Sequence, residues 1–160
     1  MSGSHPNDPS AVQRAAEAQV KASIDRFAPA HARLAESARQ LLRKRLPTAH
    51  EIVYEYRTWF VISYSPNEHG YEGVLGIRGD ADGVKLYFNR GKELPDPEKL
   101  LRGSGSLVRA VALDDVTALA RPAVSRLIDE AIARSPVPFA SDGQGPTVIR
   151  PAAAARKRKK

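Results

Sequence analysis

The sequence predicts an α+β protein: an antiparallel sheet of about five strands, with N-terminal and C-terminal helices packed on one face. Three observations carry this. Apolar residues recur at helical spacing before residue 47, the period changes to two from about residue 50, and helical spacing returns after residue 114. A run of strands between runs of helices fits helices layered on one side of a sheet.

Each element has a local cause. Over residues 10–27, Val12, Ala16, Val20, Ile24 and Phe27 form one stripe, with Asp8 or Ser10 as cap and Pro9 near the first turn. Pro29 interrupts it. A second helix is expected over about 30–46, with Leu34, Ala38, Leu41 and Leu42 on one face, and Pro47 stops it. Its outer face is expected to carry Arg33, Arg39, Arg43, Lys44 and Arg45 against Glu36 alone. Strands follow at 51–56, 59–64, 71–78 and 84–89. Gly79-Asp80-Ala81-Asp82-Gly83 suits a tight hairpin turn. A loop over 90–106 leads to a fifth strand at 107–113. Asp114 and Asp115 then open a helical region, where acids favour a helix N-terminus. Pro122 divides it, and the last helix, 123–135, buries Leu127, Ile128, Ala131 and Ile132.

A chain of 160 residues predicts one domain. It contains no cysteine, which excludes a disulfide scaffold, a thiolate zinc site, an iron–sulfur cluster and a thiol nucleophile. No apolar run approaches the ~18 residues of a membrane span, and the first residues lack a signal-peptide pattern. A cytoplasmic protein with no membrane partner is therefore expected. The formal charge is +7, and without residues 140–160 it is +2. The surplus is a tail: Arg156, Lys157, Arg158, Lys159 and Lys160 follow four alanines and a stretch punctuated by Pro136, Pro138, Pro146 and Pro151. Such a composition buries too little apolar surface to order itself. The expected organisation is a disordered N-terminus at 1–9, one α+β domain at 10–135 with an extra helix at 10–28, and a disordered basic tail at 136–160. The five terminal cations can neutralise phosphates, and no aromatic is interleaved with them. Any nucleic-acid association through them would be non-specific and salt-sensitive.

Candidate site residues fall in three groups. Gly103-Ser104-Gly105-Ser106 can offer backbone N–H groups to an anion, with Lys92, Arg102 and Arg109 close in sequence. It lacks the Gly-Lys-Ser/Thr end of a phosphate loop and is not a nucleophile elbow. Aromatics concentrate in the strands. Tyr54, Trp59 and Tyr87 are candidates to face outward and stack a flat ligand, and core packing is the competing reading. His5, His31, His50 and His69 have no metal-ligand spacing, and Asp80-Ala81-Asp82-Gly83 lacks the later oxygen ligands of a calcium loop. The ligand-binding candidates are thus Tyr54, Trp59, Tyr87, Lys92, Arg102, Ser104 and Arg109. The adjacent carboxylates Asp114-Asp115 and Asp129-Glu130 do not face each other on a helix, and no residue is assigned a catalytic role.

Residues 41–52, Leu-Leu-Arg-Lys-Arg-Leu-Pro-Thr-Ala-His-Glu-Ile, resemble the helix–proline–acidic entry of the YdhG-like domain family, a family of unknown function with a distant likeness to frataxin. Residues 84–97, Val-Lys-Leu-Tyr-Phe-Asn-Arg-Gly-Lys-Glu-Leu-Pro-Asp-Pro, followed by Leu100-Leu101-Arg102-Gly103-Ser104-Gly105 and Val108-Arg109, resemble one branch of it. The resemblance covers roughly residues 20–135. It implies the YdhG-like fold and, since some members are described as frataxin-like iron chaperones, iron held loosely by helix and strand carboxylates. Glu51 and Glu55 are the strand residues this would use. They share a face but lie about 13 Å apart along a strand, too far for one metal, and the preceding helix is basic. The leading expectation is a non-enzymatic module that binds a ligand or partner, as monomer or dimer. The alternatives are iron chaperoning and nucleic-acid association through the tail.

Overall fold

The computed structural model describes residues 8–151. Helix α1 (Pro9–Ile24) is capped by Asp8, which has an extended backbone and whose carboxylate accepts the Ser10 N–H, with Pro9 in the first turn. Ala16, Val20 and Ile24 are buried, while Val12 at the start of the stripe is exposed. Helix α2 (Pro29–Arg45) buries Leu34, Ala35, Ala38 and Leu42. It also buries Arg39, which the sequence placed on the outer face. Charge alone does not decide a helix face when a buried partner awaits, as described below.

The sheet is built from β1 (His50–Glu55), β2 (Trp59–Ser65), β3 (Leu75–Asp80), β4 (Gly83–Phe88) and β5 (Arg109–Leu113), each antiparallel to the one before. Register aligns Val53, Ile62, Ile77, Leu86 and Val111 in one row across the five strands, all of them buried. Alternation sends this row towards the helices. Helix α3 (Pro122–Ala133) joins the same apolar cluster through Val124, Leu127, Ile128 and Ala131, as do Val20 and Ile24 of α1 and Leu42 of α2.

Three expectations need correction. The third strand begins at Leu75 rather than at 71, because residues 70–72 form a 3₁₀ turn that leaves Tyr71 exposed. The fifth begins at Arg109 rather than 107: the Leu107 carbonyl accepts the Lys92 N–H, while Arg102 exchanges two backbone hydrogen bonds with Ala110, at 2.8 and 2.9 Å. Most importantly, residues 136–151 are not a disordered tail. A sixth strand, β6 (Thr147–Pro151), pairs parallel with β1, so the sheet is mixed and runs β5-β4-β3-β2-β1-β6. Thr147-Val148-Ile149 is a β-branched run that fits a pleated edge. The prolines before it shape a return path. Phe139 packs on the core, Thr48 Oγ1 donates to the Ala140 carbonyl, and the Gly145 N–H donates to Pro47. Gly145 is needed there, since a Cβ would lie 1.8 Å from the Ala49 carbonyl oxygen. Of the disorder expected at 1–9, residues 8 and 9 are instead the cap and first turn of α1, and residues 1–7, like 152–160, fall outside the described residues. Among the described residues no helix is long and apolar enough to cross a membrane.

Candidate functional site: the open face of the sheet

The sheet separates two polar regions. On the helix side, Glu51 of β1 is 2% exposed and accepts four hydrogen bonds. Arg39 donates Nε to Oε2 and Nη2 to Oε1, both at 2.9 Å. The Tyr64 hydroxyl donates to Oε2 at 2.6 Å and Thr147 Oγ1 donates to Oε1 at 2.8 Å. Arg39 also donates to Glu17 of α1, and so does Arg43. Gln13 completes the clasp. Its Nε2 donates to Glu17 and Thr147, and its Oε1 accepts the Thr147 N–H. Two acids and two arginines thus cancel while tying α1, α2, β1, β2 and β6 together. Burial works to raise the Glu17 carboxyl, but hydrogen bonds and charge from Arg39 and Arg43 outweigh it and hold it below the ordinary value. Burial pushes the Tyr64 phenol well up, and the adjacent Glu51 charge adds to this.

On the other face, alternation turns Trp59 and Val61 of β2, Arg78 of β3, Lys85 and Tyr87 of β4 and Ala110 of β5 away from the helices. Gly76 lies under the Tyr87 ring, where a Cβ would sit 2.5 Å from the phenol oxygen. Burial raises the Tyr87 phenol well above its ordinary value, against a Ser63 hydrogen bond that lowers it. Trp59 stacks on Tyr56 at 3.7 Å, and the Arg78 guanidinium lies 4.0 Å from the Trp59 ring centre.

Between this surface and the loop at 102–108 lies a depression of about 520 Å³, within the size range of ligand sites. Its floor is Val61, Arg78, Lys85, Tyr87 and Ala110, and its rim is residues 102–105, Val108 and Arg109. Four cations line it and no carboxylate does. Arg102 donates to the carbonyls of Lys99 and Leu101, and Arg109 to those of Gly105 and Val108, so neutral groups aim both guanidiniums without cancelling their charge. Lys85 is exposed and forms no ion pair among the described residues. Arg78 has Asp80 Oδ2 at 3.5 Å from its Nε. Arg78 and Lys85 are directly opposed in the β3–β4 register. Like charges so placed are destabilising.

The structure brings together Tyr87, Arg102, Ser104 and Arg109 of the sequence candidates. Trp59 lies on the same face and reaches the depression through Arg78. Tyr54 is also on this face but sits beneath Gly70, outside the depression. Lys92 belongs to a 3₁₀ turn (Gly91–Glu93) and does not line it. Sequence reasoning missed Arg78 and Lys85. Their signal was the hairpin itself, since a two-residue turn at Ala81-Asp82 pairs residue 78 with residue 85.

The carboxylates proposed for metal are not brought together. Glu51 is saturated by the clasp, and Glu55 accepts a hydrogen bond from Gln19 at 3.0 Å. Among the described residues no group of three or more His, Asp or Glu side chains is placed to hold a metal ion. The candidates Arg156, Lys157, Arg158, Lys159 and Lys160 lie outside the described residues. Comparison with protein-family models, with curated proteins and with solved structures finds no match to this chain.

Proposed function

We propose that the protein is a non-enzymatic binding module whose open sheet face holds an anionic ligand. The observation that carries this reading is the 520 Å³ depression lined by Arg78, Lys85, Arg102 and Arg109 with no carboxylate among its lining residues. A sheet that opposes Arg78 to Lys85 gives up a little stability to concentrate positive potential. The floor offers Val61, Tyr87 and Ala110 as apolar contact, and the rim offers Ser104 and its glycine neighbours as a close-approach edge. The buried Glu51, on the other side of the sheet, is a structural group and not a candidate general base. All four lone-pair positions of that carboxylate are occupied, which leaves none to accept a substrate proton. An iron-carrying role, implied by the YdhG-like resemblance, finds no support in the donor set.

Trp59 is the one tryptophan in the sequence and touches Arg78, so it reports on the site. Titration with tripolyphosphate at low ionic strength should give a saturable change in its fluorescence. The Lys85→Gln/Arg102→Gln variant, altered at two exposed side chains, should lose that change while keeping the wild-type circular dichroism spectrum. A flat titration of the wild-type protein would overturn the reading.

A further inference from the structure

We infer that the ligand of this face is a mononucleotide-sized molecule, its phosphate seated between Arg78 and Lys85 and its planar ring stacked on Tyr87. This rests on the anion-binding reading above and adds the uncharged half of the ligand. The sheet register carries it. On the open face, Val61, Arg78, Lys85 and Ala112 form one row across β2 to β5, and Ser63, Gly76, Tyr87 and Ala110 form the next. Two residues along each strand separate the rows, or about 6.8 Å. That spacing is comparable to the span of one sugar between a phosphate and its base. The first row supplies the opposed cations, and the second supplies the ring.

Tyr87 is laid down for stacking. Its hydroxyl is hydrogen-bonded to Ser63 of β2, two strands away, and it passes over Gly76, where a Cβ would lie 2.5 Å from the phenol oxygen and 2.6 Å from Cζ. A side chain that crosses β3 to reach β2 lies along the sheet instead of standing up from it. The residue is half-buried and lines the depression. The space beside it is kept clear. Its partner on β5 is Ala110, and the rim beyond is Gly103-Ser104-Gly105. Gly103 has φ +142°, a conformation that favours glycine, and a Cβ at Gly105 would meet nothing within 4 Å. Trp59 cannot serve as the platform, because Tyr56 stacks on it at 3.7 Å and the Arg78 guanidinium covers it at 4.0 Å. A base on one aromatic ring, with its phosphate on a neighbouring cation pair, matches this layout.

The test compares adenosine monophosphate with ribose phosphate, which carries the same charge without the base, by calorimetric titration of the full chain at low ionic strength. Stacking of one base on one aromatic ring is worth roughly 5- to 140-fold in affinity, so adenosine monophosphate should bind more tightly by a factor in that range. Tyr87→Leu removes the ring and keeps an apolar side chain. It should bring the two ligands to equal affinity while tripolyphosphate still saturates the Trp59 signal, which also shows that the variant is folded. If Tyr87→Leu does not fold, the two ligands on the wild-type protein decide alone. Equal affinities there would overturn the inference, as would a preference for adenosine monophosphate that survives in folded Tyr87→Leu. The two readings fail differently. Equal affinities beside a saturating tripolyphosphate titration remove the ring platform and leave the anion site standing, whereas a flat tripolyphosphate titration removes the anion site and this inference with it.

Discussion

The two faces of one sheet treat charge in opposite ways. On the helix side, Glu17, Arg39, Arg43 and Glu51 sum to zero, and Tyr64 and Thr147 fill what lone pairs the arginines leave. On the open side, four cations line a hollow that no carboxylate enters. The difference follows from solvent. Removing an ion from water costs several kcal/mol, so an uncompensated charge cannot be kept inside. Exposed charges interact by only tenths of a kcal/mol, so a surplus of one sign is tolerated outside. Neutrality within and imbalance without separate a structural clasp from a cationic open face.

The strongest way to break this comparison is to remove the central acid. Glu51→Ala leaves Arg39, 4% exposed, without its bidentate partner. Breaking a buried pair from one side costs about 3–5 kcal/mol. Urea unfolding should show that loss. A fall in Tm of about 2–4 °C per kcal/mol is expected for a domain of this size. Lys85→Ala, on the exposed side, should stay within about 0.5 kcal/mol of wild type. Similar losses for the two substitutions would erase the distinction between the faces.

This contrast also marks what the sequence makes legible. The helical stripes and the alternation of the first five strands follow from side chains that repeat every three to four or every two residues, and the buried row from Val53 to Val111 obeys them. Tyr87, Arg102, Ser104 and Arg109 were readable because the strand and the loop after it are close in the chain. Arg39 was not, because its partner is twelve residues on and its remaining support comes from α1. β6 was hidden for the same reason. Its pairing with β1 spans 96 residues, as does the Thr147–Glu51 hydrogen bond, and its short run is embedded in prolines and small residues whose local composition reads as disorder. Local patterns show elements, and long-range polar pairing shows only in three dimensions.

A smaller effect sharpens the clasp. The Tyr64 hydroxyl donates to the Glu51 carboxylate at 2.6 Å, and a hydrogen bond to a charged group is worth about 1.5–3 kcal/mol. Tyr64→Phe should destabilise the protein by about that much. The pH dependence carries a sign. The folded phenol titrates well above its ordinary value because burial and the neighbouring carboxylate oppose ionisation. Its contribution is complete below the unfolded value of about 10 and is lost as pH rises above it. Wild-type stability should therefore decline more steeply above pH 10 than that of Tyr64→Phe. Glu17 acts on the acid side. Its lowered carboxyl adds stability above the ordinary carboxylate range, and that stability is lost as pH falls through its folded value. Parallel alkaline curves for the two proteins would mean that Tyr64 is not held neutral by the clasp.

The smallest effect on stability is the most informative about function. Lys85→Glu replaces a like-charge pair with an opposite-charge pair directly across from Arg78, on a side chain open to water. Cross-strand pairs of this kind differ by about 0.2–1 kcal/mol, so the variant should be slightly more stable than wild type. It also sets a carboxylate in the middle of the cationic floor, which should abolish the response of Trp59 to tripolyphosphate. A plain solvated face has no reason to keep the less stable lysine. A binding face does, because the repulsion between Arg78 and Lys85 is relieved when an anion settles between them. Denaturation and titration of this one variant therefore test the argument together. Higher stability with lost binding identifies Lys85 as retained for a ligand, whereas unchanged binding would return the depression to ordinary surface.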